Sequence, residues 1–220
     1  MTLGEIKIET LKLMFTNLNN DIIPEKLNNY KLDENYSGYL INMPGAINRC
    51  FSSLEEKRVL PSRSEDLNPE CEEKTSSYWR YDLGDISDFF DIERIVRISS
   101  DGEYDSNCEW HREANTLVLE INWVWDSENN KFISNSSYTL IYKPRLDRIN
   151  SATEETKDLN IPDYIASYIP YFLKGDLYRD DEPNEAAEAR NWYEQAMEEI
   201  MMREEKTHQT NRVKEVYSQI

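Results

Sequence analysis

Glycine, histidine and cysteine are scarce in this chain of 220 residues. Its six glycines form no G-x-G-x-x-G or G-x-x-x-x-G-K loop, so nucleotide binding through a glycine-rich phosphate loop is not predicted. The histidines His111 and His208 form no metal-ligand spacing with Cys50, Cys71 and Cys108, and no C-x-x-C pair exists. The sequence therefore predicts neither a metal site nor a cofactor, and the thiols are expected to stay reduced.

Long apolar runs are also missing. None approaches the length of a transmembrane helix, so no membrane partner is predicted. The N-terminal segment MTLGEIKIETLKLMF carries acids and lacks a basic region followed by a continuous apolar stretch. We therefore predict no signal peptide.

Basic residues are outnumbered, with 25 Lys and Arg against 43 Asp and Glu, which gives a net charge of -18 and a pI near 4.5. Affinity for nucleic acid comes mainly from Lys and Arg that displace counterions from phosphates. The composition therefore argues against a protein that grips DNA or RNA. It argues equally against docking on an anionic membrane surface.

Aromatic residues, in contrast, make up 11% of the chain, and 14 of them are tyrosines. This fraction is higher than that of acidic disordered chains and predicts a folded core. The hydrophobic fraction of 39% and the mean hydropathy of -0.79 predict that the core is modest. We expect neighbouring subunits to complete it.

The N-terminal part has helical patterns. Thr2 and Glu5 match a capping box at the start of a first helix. A second helix is predicted from Asp33, where apolar residues recur at steps of three and four. Because Pro44 removes a backbone hydrogen bond and clashes with the preceding turn, we expect a kink or break near residues 42–43.

The C-terminal part is also predicted to be helical. Pro162 opens a third helix, which Pro170 bends and Gly175 ends. A last long helix begins at residues 181–183. The first and last helices are expected to pack together, because neither has an adequate partner nearby in sequence.

The middle of the chain, residues 77–143, is rich in β-branched and aromatic residues separated by turn formers. It predicts an antiparallel meander or small sandwich of about four to six strands. Residues 101–102 and 129–130 are predicted hairpin tips. The polar segment 61–77, PSRSEDLNPECEEKTSS, is predicted to be a loop.

These patterns predict an α+β fold. Its N- and C-terminal helices form a helical bundle, and an antiparallel β-sheet or sandwich is inserted between helices 2 and 3. The predicted domains are a discontinuous bundle from 1–60 and 151–206, an inserted β domain from 76–144, and a C-terminal tail or helix extension from 207–220.

Two patterns could carry chemistry. Four aspartates recur every third residue, at Asp82, Asp85, Asp88 and Asp91, like ligands of calcium or magnesium. The segment lacks the glycine and the bidentate Glu of a calcium loop, so a turn followed by a strand is favoured. His111 has no nucleophile motif near it and is favoured as a strand-face histidine. We predict a protein that is not an enzyme.

Several local patterns occur in a fixed order from Leu3 to Met201. Three are continuous segments: LGEIKIETLKLMF, PGAINRC at 44–50, and an acidic YRDD that leads into EAAEARNWYEQAMEEI. The others consist of single matched positions: Tyr81, Leu83, Asp88, Phe89, Ile92, Ile95 and Val96, then Leu140, Tyr142 and Pro144, then Ile161, Pro162 and Tyr164. Together these patterns resemble those of the head-to-tail adaptor (connector or neck) proteins of tailed bacteriophages.

The resemblance implies a structural virion protein of the neck, assembled in the host cytoplasm. Proteins of this family form a homo-oligomeric ring, commonly a dodecamer, beneath the portal protein. The ring extends the DNA channel, through which DNA passes without specific binding, and provides the attachment surface for stopper or tail proteins. The helical bundle would form the ring wall, and the inserted sheet would project outward or towards the tail.

In many members of the family the C-terminal segment reaches into the portal. The last residues here place an apolar stripe at helical spacing, and it is the predicted portal-docking segment: Val213, Val216, Tyr217 and Ile220. The frayed end of the last helix is an equally weighted alternative.

A closed ring needs two different complementary surfaces on each subunit. Four tryptophans exceed what a small core needs and are predicted at the subunit interface: Trp79, Trp123, Trp125 and Trp192. Carboxylates at a channel wall repel DNA and let it slide. Three acids of the last helix are predicted at the lumen or its rim, with plain solubility as the alternative for each: Glu185, Glu188 and Glu194.

Two other functions remain open at this point. An acidic DNA mimic or binding module that inhibits a nucleic-acid enzyme would also carry strong negative charge, concentrated on one face. A metal-dependent hydrolase would use the carboxylates between Asp82 and Asp91 and would contain bound divalent metal.

Overall fold

A computed structural model describes residues 1–15, 27–74, 76–99, 104–105 and 108–217, with side chains described up to residue 203 except those of 104–105. The protein is mixed α and β, which confirms the predicted class at this coarse level. It divides into two compact units. The helical unit comprises Met1–Leu60 and Leu146–Ile220, and the β unit comprises Pro61–Arg145.

The helical unit contains six described helices. Three precede the β unit and three follow it: α1 (Leu3–Met14), α2 (Leu27–Tyr30), α3 (Glu34–Glu56), α4 (Asp163–Ala166), α5 (Ile169–Leu177) and α6 (Pro183–Tyr217). Among the described helices, none combines the length and the apolar character needed to cross a lipid bilayer.

The start of α1 confirms the predicted capping box. The Thr2 hydroxyl accepts a hydrogen bond from the Glu5 amide at 3.3 Å, and the Glu5 carboxylate accepts one from the Thr2 amide at 2.8 Å. Two amides that the helix itself leaves without partners are satisfied in this way. Asp33 caps α3 through the Asn35 amide at 2.9 Å.

Of the predicted kink or break near residues 42–43, the break is wrong, because α3 continues through Pro44 for 23 residues. An internal proline costs a helix about 3 kcal/mol. Leu40 and Met43, in the turn before it, are buried in the core, as are Ala46 and Ile47 after it. Packing on both sides of the proline offsets its cost.

The third predicted helix is two helices, and the interruption lies at Ser167 and Tyr168 rather than at Pro170. Pro170 occupies the first turn of α5, where its missing N–H costs little. Gly175 lies inside α5 instead of ending it. A Cβ on Gly175 would stand 3.1 Å from the Ala186 carbonyl oxygen of α6, so the glycine allows the two helices to approach closely.

Helix α5 is the shared packing partner of α1, α3 and α6. Contrary to the expectation that α1 and α6 pack together, each of them packs mainly on α5, which lies directly before α6 in the sequence. One core cluster joins these helices to the segments that leave and re-enter the unit, where Leu60 and Leu146 are both buried.

The β unit contains ten described strands, most of them short. Their bounds are β1 Arg63–Leu67, β2 Glu70–Cys71, β3 Tyr78–Asp82, β4 Phe89–Ile98, β5 Tyr104–Asp105, β6 Trp110–Glu113, β7 Thr116–Glu120, β8 Trp123–Asp126, β9 Lys131–Ser134 and β10 Ser137–Pro144. They form three antiparallel sheets, in the orders β1-β10-β4-β5, β2-β9-β8 and β3-β7-β6. The predicted single meander or sandwich of four to six strands is thus too simple.

The predicted loop 61–77 is also wrong over much of its length, because it contains β1 and β2. Strand β1 pairs with β10 in the register Arg63↔Tyr142 to Leu67↔Tyr138. Only Leu67 is buried, so this edge strand lacks the alternation of apolar and polar residues that reveals a strand.

The core of the β unit collects residues from several of its strands, among them Ile95, Leu119 and Leu140. The predicted hairpin tip at 129–130 is confirmed between β8 and β9, where Asn130 has a φ of 54°. The predicted tip at 101–102 lies outside the described residues.

Candidate interaction surfaces

Two of the four predicted interface tryptophans belong to the core of the β unit. Trp79 and Trp123 are partly buried and pack against its core cluster. The Trp123 indole Nε1 donates to the Ser76 carbonyl oxygen at 2.9 Å. The described contacts of both rings thus lie within the β unit.

The third predicted tryptophan of the β unit, Trp125, is 47% exposed. It lies on β8, whose sheet β2-β9-β8 contains no buried residue. Its ring contacts Phe132 edge-on at 4.9 Å between centroids, and Val124 on the other face of β8 is 48% exposed. This sheet therefore presents apolar side chains to its surroundings on both faces.

Trp192 is the fourth predicted tryptophan and lies in the helical unit on α6. Its side chain is 57% exposed, although residues on either side of it along the helix, Ala189, Tyr193 and Ala196, are buried. Trp192 thus flanks the buried stripe of α6. Large exposed aromatic side chains are typical of protein interfaces.

The three predicted lumen acids are not brought together. Glu185 pairs with Lys174 at 2.7 Å, and Glu194 pairs with Lys57 at 2.7 Å. Their sequence separation corresponds to about two and a half helical turns, so they lie on opposite sides of α6. Glu188 is exposed between them in sequence.

The sequence did not reveal that two arginines, Arg49 and Arg190, face the same carboxylate. Arg49 on α3 donates to Asp176 on α5, with Nε and Oδ2 3.2 Å apart. The Arg190 guanidinium of α6 stands 3.7 Å from the same carboxylate and 5.1 Å from the Phe172 ring centroid. The only sequence signal was the position of Arg49 in PGAINRC.

The same helix α3 clamps the chain where it returns from the β unit. The Asn48 side-chain amide donates to the Ile149 carbonyl at 2.8 Å and accepts from the Ile149 amide at 2.9 Å. Glu55, which is buried, accepts from the Leu146 amide at 2.8 Å and from Arg148 at 2.6 Å. The pattern PGAINRC therefore contains residues with structural contacts.

The aspartate series serves the turn and strand that the sequence favoured. Asp82 accepts from the Gly84 amide at 2.8 Å and caps a 3₁₀ turn, Leu83–Asp85. Asp88 accepts from the Tyr142 hydroxyl at 3.0 Å, and Asp91 lies in β4. Among the described side chains, no group of three or more His, Cys, Asp or Glu is placed to hold a metal ion.

His111 lies exposed on β6, as a strand-face histidine. Its Nε2 is 3.1 Å from the Glu113 carboxylate, which also accepts from Arg80 at 2.6 Å. The hydrogen bond from Arg80 and, to a smaller extent, the one from His111 lower the pKa of Glu113.

None of the three cysteines forms a disulfide. Cys50 is fully buried next to Tyr193, and burial raises the pKa of its thiol.

The predicted portal-docking segment is only partly described. The backbone of α6 includes Val213, Val216 and Tyr217, whereas their side chains lie outside the described part of the structure. Ile220 lies outside the described residues.

No protein-family model matches this chain, and no curated protein sequence is significantly similar to it. The roles of the surfaces described above are therefore inferred from their geometry.

Proposed function

We propose that this chain is a head-tail adaptor of a tailed bacteriophage. In this role it is a structural virion protein that forms a ring beneath the portal, extends the DNA channel and provides the attachment surface for stopper or tail. The observation that carries the proposal is the order of the resembling patterns together with the layout of the chain. In the sequence, helices precede and follow the inserted antiparallel β unit.

The positions of the matched residues support the proposal. In the β unit, Asp88 and Phe89 at the start of β4 contact Tyr142 of β10, through a hydrogen bond of 3.0 Å and a ring contact of 5.9 Å. In the helical unit, Asn48 and Arg49 of PGAINRC bind distant parts of the chain. Such contacts between distant segments restrict which residue types the fold accepts at these positions.

The packing around α5 supports a helical bundle as the wall of the ring. Helix α5 contacts α1, α3 and α6, which together span most of the helical unit. The outer sides of α3 and α6 carry exposed residues such as Ile41 and Trp192, which are available to neighbouring subunits. In this proposal the β unit projects outward or towards the tail.

The exposed tryptophans fit a closed ring, which needs two different surfaces per subunit. Trp192 belongs to the helical unit and Trp125 to the β unit, so each unit offers an exposed aromatic side chain. Trp79 and Trp123 contact the core of their own unit and are less suited to an interface.

The charge of the chain fits a channel through which DNA slides. A net charge of -18 repels phosphates and disfavours adhesion. Of the three candidate acids, Glu185 and Glu194 are each paired with a lysine. Glu188 is exposed and is the remaining candidate for the rim, where it can also face a neighbouring subunit.

Two measurements test the proposal. The purified chain is analysed by electron microscopy alone and with portal rings of tailed bacteriophages, and a ring seated on a portal is the expected result. A chain that binds no portal and instead inhibits a nuclease as a monomer or dimer would contradict the adaptor role and support a DNA mimic.

The docking segment is tested separately. A variant truncated after Thr210 loses Val213, Val216, Tyr217 and Ile220 and is expected to bind the portal much more weakly while keeping the fold. Unchanged binding would exclude this segment as the contact and would leave the adaptor role to the first measurement.

A further inference from the structure

One side of α6 carries an exposed tryptophan among acids. Trp192 is 57% exposed, with Glu188 about one turn before it and Glu199 about two turns after it. The Glu199 side chain is 71% exposed and, among the described side chains, pairs with the still more exposed Arg203 of the next turn, at 3.6 Å. We name these three residues, Glu188, Trp192 and Glu199, the Trp192 surface.

A second exposed surface lies where α3 meets α6. Ile41 is 76% exposed, and Arg49 follows it about 12 Å further along α3 and about 80° around the helix. The Arg49 and Arg190 side chains are 58% and 45% exposed, and both face the single carboxylate of Asp176, which is only 10% exposed. We name Ile41, Arg49 and Arg190 the Ile41 surface.

The Ile41 surface carries an excess of positive charge in a strongly acidic chain. Two guanidinium groups share one carboxylate, so hydrogen-bond donors remain for a further acceptor. The exposed isoleucine suits an aromatic ring, and the guanidinium groups about 12 Å further along suit carboxylates.

The two surfaces lie on opposite sides of the paired helices α5 and α6. Arg190 and Trp192 are two residues apart on α6, which corresponds to about 200° around the helix. The ion pairs to α5 agree with this geometry, because Glu185 on the Trp192 side binds Lys174, whereas Arg190 binds Asp176. One chain therefore cannot close these surfaces on each other.

We infer that the Trp192 surface of one copy of this chain binds the Ile41 surface of the next copy. The acids of one surface meet the arginines of the other, and Trp192 lies against Ile41. A second copy supplies each surface in equal number, and repetition of a head-to-tail contact generates a ring. The inference rests on the proposed function, because it specifies the contact between copies in the adaptor ring.

Two single substitutions test the contact from its two sides. Trp192→Ala removes the aromatic ring, and Ile41→Glu adds a like charge opposite Glu188 and Glu199. Each is expected to weaken self-association in sedimentation velocity by about tenfold or more, as loss of a central interface residue does. The matched controls Tyr164→Ala on α4 and Leu32→Glu before α3 change residues that are 50% and 85% exposed, and they should associate like the wild type.

Mixing the two variants tests the direction of the contact. Each variant keeps one intact surface, so the mixture should form a dimer of about twice the 26.1 kDa of one chain, whereas each variant alone stays monomeric. Unchanged circular dichroism confirms that both variants are folded. The inference is overturned if the mixture stays monomeric, if either variant assembles like the wild type, or if the wild type is monomeric at its highest soluble concentration.

These outcomes are separate from failure of the adaptor role. A wild-type chain that is monomeric in solution but forms a ring on a portal would overturn this contact between free copies and retain the proposed function. A mixed dimer with no binding to any portal would retain the contact and overturn the adaptor role.

Discussion

The helical unit and the β unit are stabilised in different ways. Among the described residues, the core cluster of the helical unit is the larger and joins side chains from all six of its described helices. The β unit has a smaller core, and its sheet β2-β9-β8 contains no buried residue. Since apolar burial is the dominant stabilising term, the helical unit is expected to resist unfolding more strongly.

The polar contacts follow the same division. Of the four buried polar or charged residues that are described, Lys7, Thr10 and Glu55 belong to the helical unit and Lys143 to the β unit. Both units also have exposed ion pairs, such as Arg80 with Glu113 in the β unit and Arg179 with Asp180 in the helical unit. Buried polar contacts are costly to break, whereas exposed ion pairs contribute little.

The largest expected effect comes from core truncations, one in each unit. Leu173→Ala in α5 and Leu119→Ala in β7 each remove a side chain with no exposed area and should cost about 3 kcal/mol. Hydrogen exchange measured by mass spectrometry in increasing urea should show that Leu119→Ala accelerates exchange only in peptides of the β unit. If both variants accelerate exchange in all peptides, the units unfold as one.

A smaller effect is expected at the clamp on α3. Glu55→Ala leaves the buried Leu146 amide without its acceptor and should reduce the free energy of unfolding of the helical unit by about 2 kcal/mol. Glu56→Ala changes an exposed neighbour and should have almost no effect. Equal urea midpoints for the two variants would show that the clamp contributes no stability.

Two tyrosines allow the units to be compared by pH. In the helical unit, burial and the nearby Tyr39 and Glu185 raise the pKa of Tyr178 to about 12. In the β unit, burial and the hydrogen bond to Asp88 raise the pKa of Tyr142 to about 12. Because the folded phenols keep their protons longer than the unfolded ones, their contribution is complete below pH 10 and is lost as the pH rises towards 12.

Replacement of either tyrosine by phenylalanine should cost about 1 kcal/mol at neutral pH, because one hydrogen bond is lost. The Tyr178 hydroxyl donates to the Met14 carbonyl at 2.7 Å, and the Tyr142 hydroxyl donates to Asp88. Each variant should lose less stability than the wild type between pH 10 and 12, measured by urea unfolding at each pH. A loss equal to that of the wild type would contradict the assigned pKa of that tyrosine.

The smallest effect is expected for an exposed ion pair of the β unit. Lys131→Ala removes the partner of Glu70 and should change the free energy of unfolding by less than about 0.5 kcal/mol, because solvent screens both charges. As a control, the effect of Lys131→Ala on the free energy of unfolding should be equally small in high salt. A loss above 1 kcal/mol would show that such pairs, and not only its core, stabilise the β unit.

Local signals in the sequence predicted the parts of the fold that depend on local contacts. The capping box at Thr2, the start of α6 and the hairpin tip near Asn130 were read from a few neighbouring residues. The errors depend on distant contacts. Core packing keeps α3 helical through Pro44, and β10 recruits the polar segment 63–67 as an edge strand.

The interaction surfaces were less predictable. Composition showed that aromatic residues are plentiful, but not that Trp79 and Trp123 pack inward while Trp125 and Trp192 remain exposed. Arg49 and Asp176 meet only because α3 packs on α5. No local pattern carries such information, since it arises from which helices pack together.

The buried leucines at the two ends of the insertion have a consequence for the evolution of the chain. Leu60 and Leu146 both belong to the core of the helical unit, and Glu55 and Asn48 of α3 hold the returning segment in place. All of these contacts lie outside residues 61–145. A lineage can therefore lengthen, shorten or exchange the insert. The helical scaffold then keeps every side chain of its core.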